Sequence, residues 1–223
     1  MNDNEKYLKD LLVAFENEHI LNDVILIGSW CLLFYKHIFE SYEPSVRTID
    51  VDFYVPNVKS IRTKNGLVDT LKELNYDVVN DVLTHKTTFI SPDGFELEFL
   101  TKLQRNNLSC VKLGNTNVYA ETLSYLDVFL EKYIEIDYYG LKVKVASPIS
   151  FVLQKLLIND IRKDKKEKDI QAIKEVLFYV KVSGKFSEEL EEQFNELPKK
   201  WKKRILSNAE ANKIYLFDKN NKY

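Results

Sequence analysis

Arg47-Thr48-Ile49-Asp50-Val51-Asp52-Phe53-Tyr54 sets two carboxylates two residues apart in a β-branched and aromatic run. Side chains alternate faces along a strand, so Ile49, Val51 and Phe53 are expected in the core, with Asp50 and Asp52 together on the opposite side. Their Cα atoms would lie roughly 6.6 Å apart, a separation from which two carboxylates can grip a pair of divalent ions about 3.5–4 Å from one another. Asp is depleted in strands, whose solvent faces ordinarily carry Lys, Thr or Glu. Taken alone, an Asp-x-Asp triplet also suits a solvated loop or a structural calcium turn.

The flanking sequence narrows the choice. Upstream, Val24-Ile25-Leu26-Ile27 is a short continuous apolar run of the kind found in strands buried on both faces. Gly28-Ser29 follows at once, and Trp30 to Phe39 reads as an apolar helix. A small pair at such a junction lets a phosphate approach the backbone and meet the amides and positive end of the helix dipole. An ordinary tight turn with an N-cap is the plainer reading. Downstream, Thr87-Thr88-Phe89-Ile90-Ser91 and Phe95-Glu96-Leu97-Glu98-Phe99-Leu100-Thr101 flank the turn sequence Pro92-Asp93-Gly94 and read as a hairpin. In its second strand Phe95, Leu97 and Phe99 share one face and Glu96 and Glu98 the other, so a glutamate can point toward the Asp pair. Cross-strand pairing with Lys is the competing explanation for glutamates in a strand.

The order apolar strand, Gly-Ser, helix, Arg-Thr-x-Asp-x-Asp strand, then x-Glu-Phe-Leu-Thr strand resembles the nucleotidyltransferase superfamily typified by DNA polymerase beta. It is most similar to the small bacterial and archaeal members of that superfamily, which are often toxin-like. The resemblance implies an α+β fold: a mixed β-sheet with flanking helices, followed by a C-terminal helical region. It implies a metal-dependent enzyme that moves a nucleoside monophosphate from a nucleoside triphosphate (NTP) to an acceptor hydroxyl and releases pyrophosphate. Carried over residue by residue, Gly28 and Ser29 hold the triphosphate, Asp50 and Asp52 bind Mg2+ or Mn2+, and Glu98 is the third metal-binding and catalytic carboxylate. Glu98-Phe99-Leu100-Thr101 looks like the family's pattern at that strand; Glu96 is the reserve candidate. An RNA or tRNA end, a protein side chain and a small-molecule hydroxyl all remain open as acceptors. A non-catalytic nucleotide-binding or partner-binding module of the same fold is the alternative. Decay to such a form usually deletes a metal carboxylate, and here every candidate survives.

Ser147-Pro148 is a good helix start, a capping residue followed by Pro at the first helical position. The helix carries Val152, Leu153, Leu156 and Leu157 on its apolar side, flanked by Lys155, and a basic helix runs on from Lys165 through Ile173, Leu177 and Val180. Toxin-like relatives have a comparable Lys, then Arg and a Lys-Asp pair, which match Lys155, Arg162, Lys168 and Asp169. The resemblance implies that Lys155 touches the nucleotide phosphates as a point charge and that Asp169 holds a basic residue in place. A solvated face with pairs such as Lys165 to Asp169 is the plainer account, and the preferred one for Arg162 and Lys168. The basic cluster around Trp201, from Lys199 to Arg204, is likewise expected to be a solvated helix whose Trp packs inward.

A chain of 223 residues with 45% hydrophobic content is long enough for one ample core or two modest domains. A catalytic domain over residues 1–145 and a helical domain over 146–223 are expected. The formal charge of −2 argues against a committed nucleic-acid binder. Neither an export signal at the start nor an apolar stretch long enough for a bilayer is evident, so a soluble, cytoplasmic protein with no membrane partner is expected. Cys31 and Cys110 are expected as reduced core residues, and with three His they offer no zinc-ligand spacing.

Overall fold

The computed structural model describes residues 3–44, 48–104 and 107–217, so Arg47 of the Arg-Thr-x-Asp-x-Asp sequence lies outside the described residues. Nine strands and seven α-helices occur among the described residues. They fall into two compact units. The first holds the chain up to Phe34 and onward from residue 48 to Ala146; the second joins the segment starting at Tyr35 to the chain from Ser147 onward.

The first unit is a mixed sheet. Its strands are β1 (Ile25–Ile27), β2 (Asp50–Tyr54), β3 (Asp77–Asn80), β4 (Thr87–Ile90), β5 (Glu96–Lys102), β6 (Cys110–Lys112), β7 (Tyr119–Leu123), β8 (Tyr133–Tyr138) and β9 (Leu141–Ala146). The order across the sheet is β3-β4-β5-β2-β1-β9-β8, with β7 pairing β5 and β6. Three-residue β1 is buried throughout, as an uninterrupted apolar strand between two neighbours should be. β2 alternates, with Val51 and Phe53 buried and Asp50 and Asp52 half-buried. Helix α1 (Asp3–Asn17) lays Leu8, Leu11, Leu12 and Phe15 into the core. The Phe15 ring lies 4.9 Å from that of Phe53 and 5.7 Å from that of Phe99, so α1 covers the face opposite the acidic side chains. Helix α3 (Leu67–Glu73) buries Leu67 and Leu71.

Buried Glu18, just past α1, organises the start of α3. Its carboxylate accepts the backbone N–H groups of Asn65 (2.9 Å) and Gly66 (3.2 Å), the Asn65 amide and the Thr70 hydroxyl. Burial opposes its charge, but these four donors outweigh that and hold its pKa below the ordinary glutamate value.

Several local expectations are corrected. Ile49 precedes the strand and is exposed rather than in the core. The helix after Ser29 is a single 3-10 turn, Gly28–Trp30, followed by the five-residue α2 (Cys31–Tyr35); the chain then turns through residues 36–41. An apolar run packed on several sides reads as helix by composition, yet aromatic burial at Phe39 and Tyr42 is met by turns. The stretch 127–136, legible as helix or strand, is both: a 3-10 turn over Leu126–Phe129 and then β8. Edge strand β3, mostly exposed, gives no clear alternation and goes unread. Cys110 is only half-buried, whereas Cys31 is buried as expected.

The second unit is helical: α4 (Pro148–Ile158), α5 (Lys166–Ser183), α6 (Ser187–Glu196) and α7 (Lys199–Ala211). Ser147 caps α4 by accepting the Ser150 N–H at 3.1 Å, with Pro148 at the first helical position. Nearly every residue of α4 is buried, the mark of a helix enclosed on all sides. Tyr35, Phe39 and Tyr42 from the preceding segment join this core, with Tyr35 edge-on to Phe151 at 6.1 Å and Tyr42 edge-on to Tyr179 at 4.9 Å. No helix among the described residues is long and apolar enough to cross a membrane.

Candidate active site

β1 and β2 run antiparallel with Ile27 opposite Asp52, and the chain turns at Gly28, whose φ is +71°. A side chain is disfavoured at that angle. Space is tight as well: a Cβ on Gly28 would stand 2.6 Å from Asp52 Oδ2, so the carboxylate would have to shift to admit one. The Gly28-Ser29 turn therefore lies directly against the second carboxylate of the pair, with Ser29 half-buried beside it in sequence.

β2 and β5 are parallel, in register Asp50 to Glu96 and Asp52 to Glu98. Paired residues of neighbouring strands point to the same side, and the strands are about 4.8 Å apart. Asp50, Asp52, Glu96 and Glu98 consequently share one face, while Val51, Phe53, Leu97 and Phe99 occupy the other. At the start of β2 the Thr48 hydroxyl donates to Asp50 Oδ2 at 3.3 Å and accepts the Asp50 N–H at 3.2 Å. This bracket sets the carboxylate at the strand's entrance.

Glu98 is already engaged. Its Oε1 lies 2.7 Å from Lys86 Nζ and accepts the Thr88 hydroxyl at 3.1 Å. Thr88 faces Glu98 across the β4–β5 pair, and β4 lies on the opposite side of β5 from β2, so these contacts draw the carboxylate away from Asp52. Lys86 also reaches Glu121 of β7 at 3.1 Å. Burial works against the Lys86 charge, but the hydrogen bond and charge of Glu98, together with Glu121, lift its pKa above the ordinary lysine value. The lysine pairing that competes as an explanation for strand glutamates is thus present at Glu98. Among the described residues no three His, Cys, Asp or Glu form a group able to hold a metal ion. Asp50 and Asp52 remain as hard oxygen donors on one face, a set that fits Mg2+ or Mn2+.

Lys86 is the site residue that the reading of the sequence missed. Its signal is positional: two residues before Thr88, it falls on the face that Thr88 and Glu98 share.

Lys155 belongs to the helical unit and is 3% exposed. Its Nζ lies 2.7 Å from Asp169 Oδ1, and Arg162 approaches Asp169 Oδ2 at 3.5 Å. Asp169 is therefore no solvated partner of Lys165 but a buried carboxylate holding two bases. In α7, Arg204 pairs with Asp160 at 2.7 Å, Lys202 donates to the Asn195 carbonyl at 3.1 Å, and Trp201 is half-buried. Part of that cluster is spent on partners within the same unit.

The mixed sheet sets a Gly-Ser turn against paired strand aspartates, the arrangement that the order of motifs in the sequence led one to expect. The chain belongs to the nucleotidyltransferase family, whose sequence profile matches residues 7–198. Comparison with curated proteins gives no match. Similar solved structures include an antigenic nucleotidyltransferase-like protein from Paracoccidioides brasiliensis, 20% identical over 78% of this chain and 74% of that one, with a TM-score of 0.47. Another is the Thermotoga maritima CCA-adding enzyme complexed with tRNA, 13% identical over 96% of this chain and 52% of that one, with a TM-score of 0.30. The family's activity is nucleotidyl transfer.

Proposed function

We propose that the protein moves a nucleoside monophosphate from an NTP to an acceptor hydroxyl, with release of pyrophosphate, using Asp50 and Asp52 to hold Mg2+ or Mn2+. The observation that carries this reading is the approach of the Asp52 carboxylate to Gly28, where an added Cβ would stand 2.6 Å from Asp52 Oδ2. A triphosphate seated on the Gly28-Ser29 turn has its charged oxygens beside the carboxylate pair, which is the proximity that in-line transfer needs. The Ser29 hydroxyl donates to a phosphate oxygen. The divalent ion, when bound, supplies charge neutralisation of the phosphates and a lowered pKa for the attacking hydroxyl. Glu98 binds the metal or accepts the hydroxyl proton once it leaves Lys86, and Glu96 lies on the same strand face. Lys155 enters through Asp169, as scaffold of the helical unit.

Incubation with each α-labelled NTP, Mg2+ or Mn2+, and total RNA, protein or small-molecule fractions of a lysate tests the proposal. Label is expected in an acceptor with wild type and not with Asp50→Asn/Asp52→Asn. Equal labelling by both proteins would sink it. A second reading, nucleotide binding without transfer, draws on the engagement of Glu98 by Lys86; Mg-NTP would then raise the melting temperature of wild type alone, with no label transferred by either protein.

A further inference from the structure

We propose that Lys86 is an internal counter-ion that parks Glu98 away from Asp50 and Asp52, and that a divalent ion recruits Glu98 by drawing it off Lys86 as the third ligand. This rests on the metal site proposed above.

The geometry supports an exchange rather than a fixed pair. Glu98 is directly opposite Asp52 in the β2–β5 register, so its carboxylate can turn toward Asp52 by side-chain rotation with the backbone in place. Lys86 is not orphaned when Glu98 leaves, because Glu121 already holds it at 3.1 Å. Glu98 and Glu121 are partly open to solvent, at 17% and 35% of their side-chain surface, and Lys86 is at 25%. None of the three groups is sealed in the low-dielectric interior that would lock an ion pair. Glu98 shares its strand face with Asp50, Asp52 and Glu96, and Lys86 balances the Glu98 charge there. A divalent ion on the Asp pair would cancel the repulsion those carboxylates exert on Glu98 and offer it a coordination position toward β2. The lysine thus positions Glu98; it is not itself a ligand.

Opposite shifts from two substitutions separate this role from a structural one. Lys86→Met releases Glu98 and is expected to tighten Mn2+ binding, read by electron paramagnetic resonance or calorimetry without nucleotide, by about ten-fold, as an added carboxylate ligand does. Adding Glu98→Gln to Lys86→Met should erase the gain. Glu121→Gln removes the lysine's second anchor, holds Lys86 on Glu98 and should weaken Mn2+ binding. If Lys86→Met folds poorly, the Glu121→Gln shift alone decides. Unchanged affinity in Lys86→Met or Glu121→Gln, or the same direction of shift in both, overturns the inference while wild-type binding lost in Asp50→Asn/Asp52→Asn leaves the metal site standing. Absence of Mn2+ binding by wild type overturns both.

Discussion

Gly28→Ala separates the two demands that the turn places on its residue. The backbone there has φ +71°, and a side chain in the left-handed region costs about 1–2 kcal/mol. For a chain of this size each kcal/mol lowers the melting temperature by about 2–4 °C, giving an expected drop of about 2–8 °C. The new methyl also stands 2.6 Å from Asp52 Oδ2, against the 3.4 Å at which ordinary contact begins. A carboxylate oxygen yields cheaply by rotating, so the clash adds little to the loss of stability. It does move a ligand oxygen by most of an ångström, and misplaced ligand shells typically cost about 10–100-fold in metal affinity. Gly140→Ala is the control: Gly140 has φ +81° in the Tyr139-Gly140 turn between β8 and β9, and nothing lies within 4 Å of an added Cβ. Both variants should melt earlier by similar amounts, and only Gly28→Ala should lose Mn2+ affinity in titrations without nucleotide. Wild-type affinity in Gly28→Ala, or an equal loss in Gly140→Ala, would refute the placement of Asp52 as a ligand against the turn.

Two further outcomes follow from buried carboxylates. Glu18→Gln should destabilise the protein by about 1.5–3 kcal/mol near neutral pH, since donors matched to a charged acceptor lose it. Because the folded pKa of Glu18 lies below its ordinary 4.5, its stabilisation is complete above that value and is lost as pH falls through the folded pKa; denaturant melts should show wild type and Glu18→Gln converging in acid. Lys155→Met should cost about 3–5 kcal/mol by leaving Asp169 buried with only Arg162 at 3.5 Å, and Lys155→Met/Asp169→Leu should recover most of it. A selective loss of triphosphate affinity in Lys155→Met, with unfolding unchanged, would restore a phosphate role for this lysine.

The strand elements of the site were legible because period-two alternation leaves a direct trace: Val51 and Phe53 inward, Asp50 and Asp52 outward, and the same in Leu97, Phe99, Glu96 and Glu98. That β2 and β5 lie side by side in parallel, with Asp52 level with Glu98, is a non-local pairing that no local pattern encodes. The Gly-Ser turn was legible as a junction, but the reason for glycine, contact with a side chain 24 residues on, depends on the β1–β2 register. Lys86 and Lys155 mark the limit. A lysine in sequence reads as solvated or phosphate-bound, and only the fold shows each spent on a carboxylate, Glu98 in one unit and Asp169 in the other.

On the proposed function, charge on this face also bears on the order in which ligands would arrive. Asp50, Asp52, Glu96 and Glu98 crowd one side of β2 and β5, and Lys86, which engages Glu98, sits at the far edge, held between Glu98 and Glu121. A polyanionic triphosphate approaching the Gly28-Ser29 turn meets this field first, and at a partly exposed site the repulsion between unit charges is of order 1–4 kcal/mol at 4 Å. One hydroxyl at Ser29 and a five-residue helix, too short to present a full dipole, do not offset several such terms. On the proposed function the nucleotide is therefore expected to arrive as its metal complex or after the metal, with the carboxylate pair rather than the turn setting the affinity for triphosphate; triphosphate binding by wild type that is equally tight with and without Mg2+ would refute this order. On the proposed function a weak phosphate cradle and a strongly acidic strand face belong together: the turn would orient phosphates that the ion has first made acceptable to Asp50 and Asp52.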